Sequence, residues 1–515
     1  MKTRATVVLL TLLAAACASS ETDSGSKDAY ADPTNGGSGD PSNPASGDPN
    51  DPGNSNAAVQ PKALPLVAGV AIDEIALFQG VKVTIVKGGE LVSDTNAPVV
   101  AGRPGLLRVY VSTSGEYAGR EVVAQLRISA GTTTMPLLTD KKTLSGASTD
   151  EKIASTFNFD VPASSLVTGA TFSVALVDAQ AEKTTLGQTA SSALFPKDGG
   201  QAAMGLVPTG KVKVVVVPLR YDADGSQRMP DVSQSQLETY KKTMLARYPA
   251  SDIEVSTHAP VSWTSAISPN GSGFSNALNA LVRLRQTDKV PADVYYFGVF
   301  APASSMAQFC GGGCVAGLSS VGSNPSDAFV RASVGLGFTG VESANTMAHE
   351  VGHAHGRNHA PCGGAQGTDS KFPYSGGGIG VWGYDMNAKA LISPTKGKDM
   401  MGYCQPEWVS DYTYSALYDR IAFVNGVKSV VSAPATYRMV SVDENGKLIE
   451  SSTMTLDQEP GGDLTDVTYV DQVGTQRAGK ARFYPYDHLP GGFYVMPELP
   501  TVTHVMVSGA KLQVR

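Results

Sequence analysis

The sequence predicts a multidomain protein in which a central α/β (α+β) domain is flanked by two all-β, sandwich-like domains. Three observations support this prediction. Residues 61–205 carry short strand patterns with no helical period, residues 206–427 alternate buried strands with helices, and residues 428–515 return to strand patterns. A chain of 515 residues is long enough for several such domains, and 42% of its residues are hydrophobic.

The N-terminal strand patterns (61–205) suit an immunoglobulin-like sandwich, and the C-terminal ones (428–515) a second, smaller sandwich. The central domain is predicted from continuous apolar strands and from stretches with helical period. The strands are expected at 211–219 and 292–300, and the helices at 233–248, 274–286 and 410–426.

The first sixteen residues combine a positively charged start with an apolar run that is too short to span a bilayer, as in a signal peptide. The run ends in Leu13-Ala14-Ala15-Ala16-Cys17, which resembles a bacterial lipobox and predicts that Cys17 carries lipid. Ordinary cleavage that leaves Cys17 unmodified is the alternative. Residues 17–60 are rich in Gly, Pro, Ser and Asp and predict a disordered tether. We expect an exported protein, lipid-anchored at the outer membrane or surface of a bacterial envelope.

The charge pattern argues against a nucleic-acid partner, because the formal net charge is −7 and no run of Lys or Arg occurs. Contact with a membrane is expected through the N-terminal lipid only, and the protein is expected to be a monomer. Without Cys17, four cysteines remain, which allow three disulfide connectivities. Nearness in sequence favours Cys310–Cys314 and leaves Cys362–Cys404.

The stretch HEVGHAHGRNH at 349–359 contains four of the chain's seven histidines. On a helix, His349 and His353 share one face, and Glu350 lies beside them, as in a zinc site with a carboxylate general base. Upstream, Thr339 and Glu342 have the spacing of a capping box that would start this helix. The pattern predicts one catalytic Zn²⁺ bound by histidines, with Glu350 as the base.

The extended spacing supplies a third ligand. Gly356 can adopt a positive φ, end the helix with a sharp turn and bring His359 back towards the other two histidines. Three histidines leave the fourth zinc position open for water, which a catalytic site requires. His355 fits no ligand slot and is expected to be a polar or supporting residue.

This stretch resembles the zinc signature of the metzincin metalloendopeptidases, whose second element is a tight turn containing a methionine. Met401-Gly402-Tyr403 supplies such a Met-turn downstream, with Met400 as the competing register. The resemblance implies that Met401 is an apolar floor beneath the ligands and that Tyr403 stabilises the oxyanion. The segment between His359 and the Met-turn is rich in glycine and loosely similar to that of secreted bacterial mucinase-like enzymes.

The resemblance implies a zinc-dependent endopeptidase that cleaves extended polypeptide or glycoprotein substrates. Residues 314–322 are the candidate edge strand along which substrate would pair, or alternatively a plain core strand. The competing hypothesis is a surface adhesin whose zinc site is catalytically silent. Residues 61–205 contain no cysteine, so a propeptide cysteine cannot cap the zinc; an acidic residue could, but the sequence does not indicate which.

Overall fold

The computed structural model describes residues 65–180, 191–426, 433–443, 446–507 and 509–514. The predicted signal peptide, the tether and Cys17 lie outside the described residues. None of the helices in these ranges is long and apolar enough to cross a membrane. Residues Ala63–Arg515 group as one compact unit, and the domain limits predicted inside that unit stay predictions.

The N-terminal region folds into two antiparallel sheets. Its described strands are β1 (Val70–Phe78), β2 (Lys82–Lys87), β3 (Glu90–Leu91), β4 (Gly105–Thr113), β5 (Glu121–Ala130), β6 (Thr133–Thr134), β7 (Leu138–Thr143), β8 (Phe157–Val161), β9 (Ala170–Asp178), β10 (Leu194–Phe195) and β11 (Ala202–Ala203). One sheet has the order β3-β2-β1-β4-β8 and the other β10-β9-β5-β6, with β7 on β5 and β11 on β9. Buried residues of both sheets belong to one hydrophobic cluster, as in a sandwich.

The central region contains a mixed sheet with helices on both faces. Its described elements are β12 (Val212–Tyr221), α1 (Gln234–Arg247), β13 (Ile253–Thr257), β14 (Val261–Trp263), α2 (Phe274–Thr287), β15 (Val294–Phe300), α3 (Met306–Cys310), β16 (Gly317–Ser319), β17 (Ala332–Leu336), α4 (Val341–Ala354), β18 (Gly383–Asp385), β19 (Ala390–Ile392), β20 (Lys398–Asp399), β21 (Glu407–Trp408) and α5 (Asp411–Gly426). These elements coincide closely with the predicted strands and helices.

The order of the central sheet is β13-β12-β15-β17-β16, with β14 also on β12. All neighbours are parallel except β16, which pairs antiparallel with β17 at the edge of the sheet. Strand β12 has side chains in both core clusters, which explains why its sequence is a continuous apolar run. Helices α1 and α4 pack in one cluster and α2 in the other, on opposite faces of the sheet.

The C-terminal region is one antiparallel sheet, not the predicted second sandwich. Its described strands are β22 (Ala435–Val442), β23 (Leu448–Leu456), β24 (Asp463–Asp471), β25 (Gln476–Pro485), β26 (Gly492–Pro497), β27 (Val502–Val507) and β28 (Ala510–Gln513). They follow the single order β23-β22-β26-β25-β24-β27-β28. One face has its own core, and the other packs in the cluster that contains α2. Both faces are therefore covered without a second sheet, which the strand patterns alone do not reveal.

Candidate metal centre

Helix α4 carries His349, Glu350 and His353. Its apolar face buries Ala344, Met347, Ala348 and Val351 fully, which fixes the direction of the remaining side chains. The predicted capping box does not form. Gly340 is the N-cap without a side-chain hydrogen bond, and the Thr339 hydroxyl donates instead to Asp231, 2.6 Å away. A tertiary partner thus replaces the expected local cap.

The helix ends at the glycine that the sequence singles out. Gly356 has φ +85°, a left-handed conformation that favours glycine, and an added Cβ would lie 2.8 Å from the Gly322 carbonyl oxygen. The amide of Gly356 donates to the carbonyl of His353, and that of Arg357 donates to the carbonyl of Gly352. These two bonds form a Schellman motif, and the turn brings His359 back beside His353.

The three histidines of the motif converge through their Nε2 atoms. The His353 Nε2 lies 3.0 Å from that of His349 and 3.1 Å from that of His359. Ligand nitrogens of a tetrahedral zinc site, each about 2.0–2.1 Å from the ion, are about 3.3 Å apart. The spacing of these three atoms therefore fits a shared ion.

The opposite nitrogen of each imidazole donates to a backbone carbonyl. The Nδ1 of His349 donates to Met400 (2.6 Å), that of His353 to Arg357 (2.6 Å), and that of His359 to Gln366 (2.5 Å). These bonds leave each Nε2 without a proton and aimed at the shared position, as in a metal site. Burial, together with the neighbouring imidazoles, lowers the pKa of all three histidines, so each is in the neutral form that metal binding requires.

The predicted Met-turn lies directly beneath α4. The amide of Gly402 donates to the carbonyl of Asp399, and a carboxylate oxygen of the fully buried Asp399 accepts from the amide of Met401. Met401 is buried, and its sulfur would be 2.6 Å from a Cβ added at Gly352. Met401 therefore occupies the floor position, while Met400 contributes the carbonyl that orients His349.

Covalent and backbone links join the Met-turn to the segment after His359. The disulfides are Cys310–Cys314 and Cys362–Cys404, the two pairs favoured by sequence proximity. The amide of Ala360 donates to the Met401 carbonyl, and that of Tyr403 to the Cys362 carbonyl. These contacts fix His359 relative to His349 and His353 on α4.

His355 lies outside this cluster, as its position in the motif indicates. It is buried and stacked on Tyr295, with ring centroids 4.3 Å apart, and its Nδ1 donates to the Val351 carbonyl. Burial lowers the pKa of His355 to about 3. It packs α4 against the sheet and faces away from the other three imidazoles.

Glu350 occupies a small polar pocket beside the three ligands. A Cβ at Gly317 would lie 2.4 Å from the Glu350 carboxylate, so glycine on β16 provides its space. One carboxylate oxygen, Oε2, is buried and makes no hydrogen bond among the described residues. Burial, followed by the charge of Asp487, raises the pKa of Glu350 well above its usual value. The carboxyl is thus suited to take up a proton.

Two residues that the sequence analysis missed complete the cluster: Asp487 and His488, in the connection between β25 and β26. The Oδ2 of Asp487 lies 3.2 Å from the Nε2 atoms of His353 and His488. The Nε2 of His488 lies 3.0 Å from the Glu350 carboxylate. Burial lowers the pKa of His488, but the Asp487 and Glu350 carboxylates outweigh it and raise that pKa to about 9.

Tyr403 lies at the mouth of the site, about two-fifths exposed. Its hydroxyl is 3.2 Å from the His359 Nε2 and forms a short hydrogen bond with the Nδ1 of His488. Its ring stacks on that of His488, with centroids 5.4 Å apart. The hydroxyl therefore lies next to the three converging imidazoles, and its oxyanion role stays a prediction.

A groove extends from the cluster along the edge of the central sheet. One wall is formed by residues 314–317, which lead into β16, and the other by Asn345 and Thr346 of α4. His349, Glu350 and Tyr403 line its base. Strand β16 lies at the edge of the sheet but is buried, and Ser320 after it bridges Tyr486 of the C-terminal region, whereas residues 314–316 before it are half-buried and line the groove.

Residues 321–417 match the family model of Peptidase M66. The matched segment contains the helix motif and the Met-turn, but neither β-rich flank. No curated protein matches the chain. The match supports a metallopeptidase-type function, and the buried cluster of His, Glu and Asp side chains indicates a metal ion.

Proposed function

We propose that this protein is a zinc-dependent endopeptidase of the metzincin type. The observation that carries the proposal is the convergence of the His349, His353 and His359 Nε2 atoms, each aimed by a hydrogen bond from its Nδ1. The nitrogen donor set, its spacing and the orphaned Glu350 oxygen beside it suit zinc with a general base.

In the proposed mechanism, His349, His353 and His359 would hold a zinc ion, which would supply Lewis acidity to activate water and polarise the substrate carbonyl. Glu350 accepts the proton of the attacking water on a carboxylate oxygen and passes it to the leaving amine. The Tyr403 hydroxyl donates a hydrogen bond to the oxygen that becomes negative. The backbone of residues 314–317 binds the substrate as an added strand and holds its scissile bond near Glu350.

The proposed substrates are extended polypeptides or glycoproteins outside the cell, because pairing with an edge strand selects unfolded chain. The proposed location is a bacterial envelope, with a lipid on Cys17 and a tether up to residue 60 that separates the enzyme from the membrane. Mass spectrometry of the N-terminal peptide from native cells tests the anchor. An unmodified cysteine there would refute it.

The test of the enzyme reaction is Glu350→Gln in the full mature chain. We expect about one zinc per chain in both proteins, because Glu350 is no ligand in this proposal. Cleavage of an unstructured protein over a long incubation should fall about 10²–10⁴-fold, the usual contribution of a general base. Glu238→Gln, an exposed carboxylate on α1, is the matched control. Equal cleavage by Glu350→Gln and wild type would exclude this mechanism, and zinc binding without any cleavage would favour a silent adhesin.

A further inference from the structure

The hairpin connection between β25 and β26 enters the metal centre from the C-terminal sheet. We propose that Asp487 is a fourth metal ligand and that Asp487 and His488 hold the enzyme in a latent state. This inference rests on the proposed function, because latency has meaning only for an enzyme. The segment Tyr486–Gly491, which we name the C-terminal latch, carries both side chains.

The two oxygens of the Asp487 carboxylate have different surroundings. Its Oδ1 accepts a hydrogen bond of 2.9 Å from the Ser319 amide on β16. Its Oδ2 is buried, makes no hydrogen bond among the described residues, and lies 3.2 Å from the Nε2 atoms of both His353 and His488. A buried carboxylate oxygen at this separation from a ligand nitrogen fits a fourth donor to the same ion. A zinc site with four protein ligands has no open position for water.

His488 contacts Glu350 and Tyr403, the two side chains that the proposed chemistry needs. Its Nε2 donates to the Glu350 carboxylate at 3.0 Å, and its Nδ1 forms a short hydrogen bond with the Tyr403 hydroxyl. The proposed base and the proposed oxyanion donor are therefore occupied by the same imidazole. A substrate that reaches either group must first displace His488.

The latch also takes backbone positions that an extended substrate would use. Tyr486 forms an antiparallel bridge with Ser320, and the Asp487 amide donates to the Ser319 carbonyl at 3.2 Å. These contacts lie at the edge of the sheet, on the last residue of β16 and on the residue after it. The groove along residues 314–317 stays open, so the latch closes one end of the groove and not its whole length.

Contacts outside the site hold the latch in place. The Tyr486 hydroxyl pairs with the Asn279 side chain on α2, at 3.2 Å. A Cβ at Gly271 would meet Leu489 at 2.6 Å, so the loop before α2 approaches the latch closely. The latch is thus positioned by the central region itself, and its release requires that these contacts and the pairing with Ser319 and Ser320 open.

The experiment compares wild type, Asp487→Asn and Asp487→Ala in the full mature chain, with Asp466→Asn as the control. Asp466 is an exposed carboxylate of the same sheet. The asparagine variant is nearly isosteric and can keep the hydrogen bond from Ser319, so a loss of folding is not the expected cause of its effects. The measurements are zinc affinity by chelator competition, affinity of the zinc-loaded protein for acetohydroxamate, and cleavage of an unstructured protein.

We expect Asp487→Asn to weaken zinc binding about tenfold or more, because a ligand is lost. Acetohydroxamate, a small bidentate metal chelator, should bind about tenfold more tightly, because it no longer competes with the latch. Cleavage should rise by a similar factor. Tighter chelator binding and weaker zinc binding without any cleavage would support Asp487 as a metal ligand but overturn the peptidase and, with it, the latent state. Unchanged zinc and chelator binding, or cleavage slower than that of wild type, would overturn the latch.

Discussion

The two β-rich regions have similar strand patterns, yet they contact opposite faces of the central region, and only the C-terminal one sends described side chains into the histidine cluster. The N-terminal sandwich lies under α1 and α4 and shares one hydrophobic cluster with them. Its Arg103 is fully buried and donates to the carbonyls of Ala246 and Ala250, at 3.3 and 3.5 Å. The C-terminal sheet lies on the other face and sends Asp487 and His488 into the metal centre.

This difference shows that two β-rich regions can have different roles. The N-terminal sandwich supports the helices that carry the site, whereas the C-terminal sheet places side chains inside the site. The N-terminal contact is a core contact, remote from the ligands, so changes there should affect the free energy of unfolding. The C-terminal sheet also shares a hydrophobic cluster with the central region, but it adds polar contacts at the metal centre, so changes to those polar contacts should affect access to the metal. Three predictions separate these two roles.

The largest effect on stability is expected for Arg103→Ala. The variant leaves buried carbonyls without a donor and creates a cavity beside Gln79, whose carbonyl Arg103 also contacts. The free energy of unfolding should fall by about 3 kcal/mol or more, measured by denaturant titration. Acetohydroxamate affinity of the protein that remains folded should not change. The control is Arg127→Ala, at an exposed position of β5, and an equal loss in both variants would contradict the supporting role.

A smaller effect is expected for Tyr484→Phe at the docking surface of the C-terminal sheet. The Tyr484 hydroxyl donates to the buried Asp327 carboxylate at 2.8 Å, so the variant removes a hydrogen bond to a charged group. Stability should fall by about 2 kcal/mol, and acetohydroxamate affinity should rise because the sheet holds the latch less firmly. Tyr494→Phe, at the partly buried Tyr494 on the neighbouring β26, is the control. A loss of stability with no change in acetohydroxamate affinity would show that docking and latch are independent.

The smallest effect, a local change in amide hydrogen exchange, is expected when a chelator removes the metal. Amides of the latch should exchange hydrogen faster in the metal-free protein, because Asp487 loses a partner that holds it in place. Amides around Gln79 and Arg103 should exchange at an unchanged rate. Hydrogen exchange followed by mass spectrometry measures both regions in one sample. Equal acceleration in both would mean that the metal stabilises the whole protein and not the latch.

The sequence predicted the histidine motif on α4 and in the following turn well, because its residues are close together along the chain. His349 and His353 are related by helical spacing, and Gly356 indicates the turn that returns His359. The Met-turn required a comparison over about 40 residues, which the family resemblance supplied. The structure brings all of these residues together, although their roles in catalysis stay predictions until variants are measured.

The positions of Asp487 and His488 in the site could not be predicted, because no local sequence pattern connects these residues with α4. They follow a strand more than 120 residues later, and only the pairing of the C-terminal sheet brings them to the ligands. The single weak signal was composition: in a chain with seven histidines, one stands beside an aspartate just before a Gly-Gly turn. For the same reason, the strand patterns predicted a sandwich where the structure has one sheet.

The disulfide between Cys362 and Cys404 also sets where in the cell the site can mature. It joins cysteines that are 42 positions apart, with the Met-turn just inside the closed loop and His359 just before it. In a reducing cytoplasm both cysteines stay as thiols, so this closure is absent and the third imidazole is held by weaker contacts alone. If the chain is exported as proposed, oxidation would complete the site there, and the proposed enzyme would be fully formed only outside the cell that makes it.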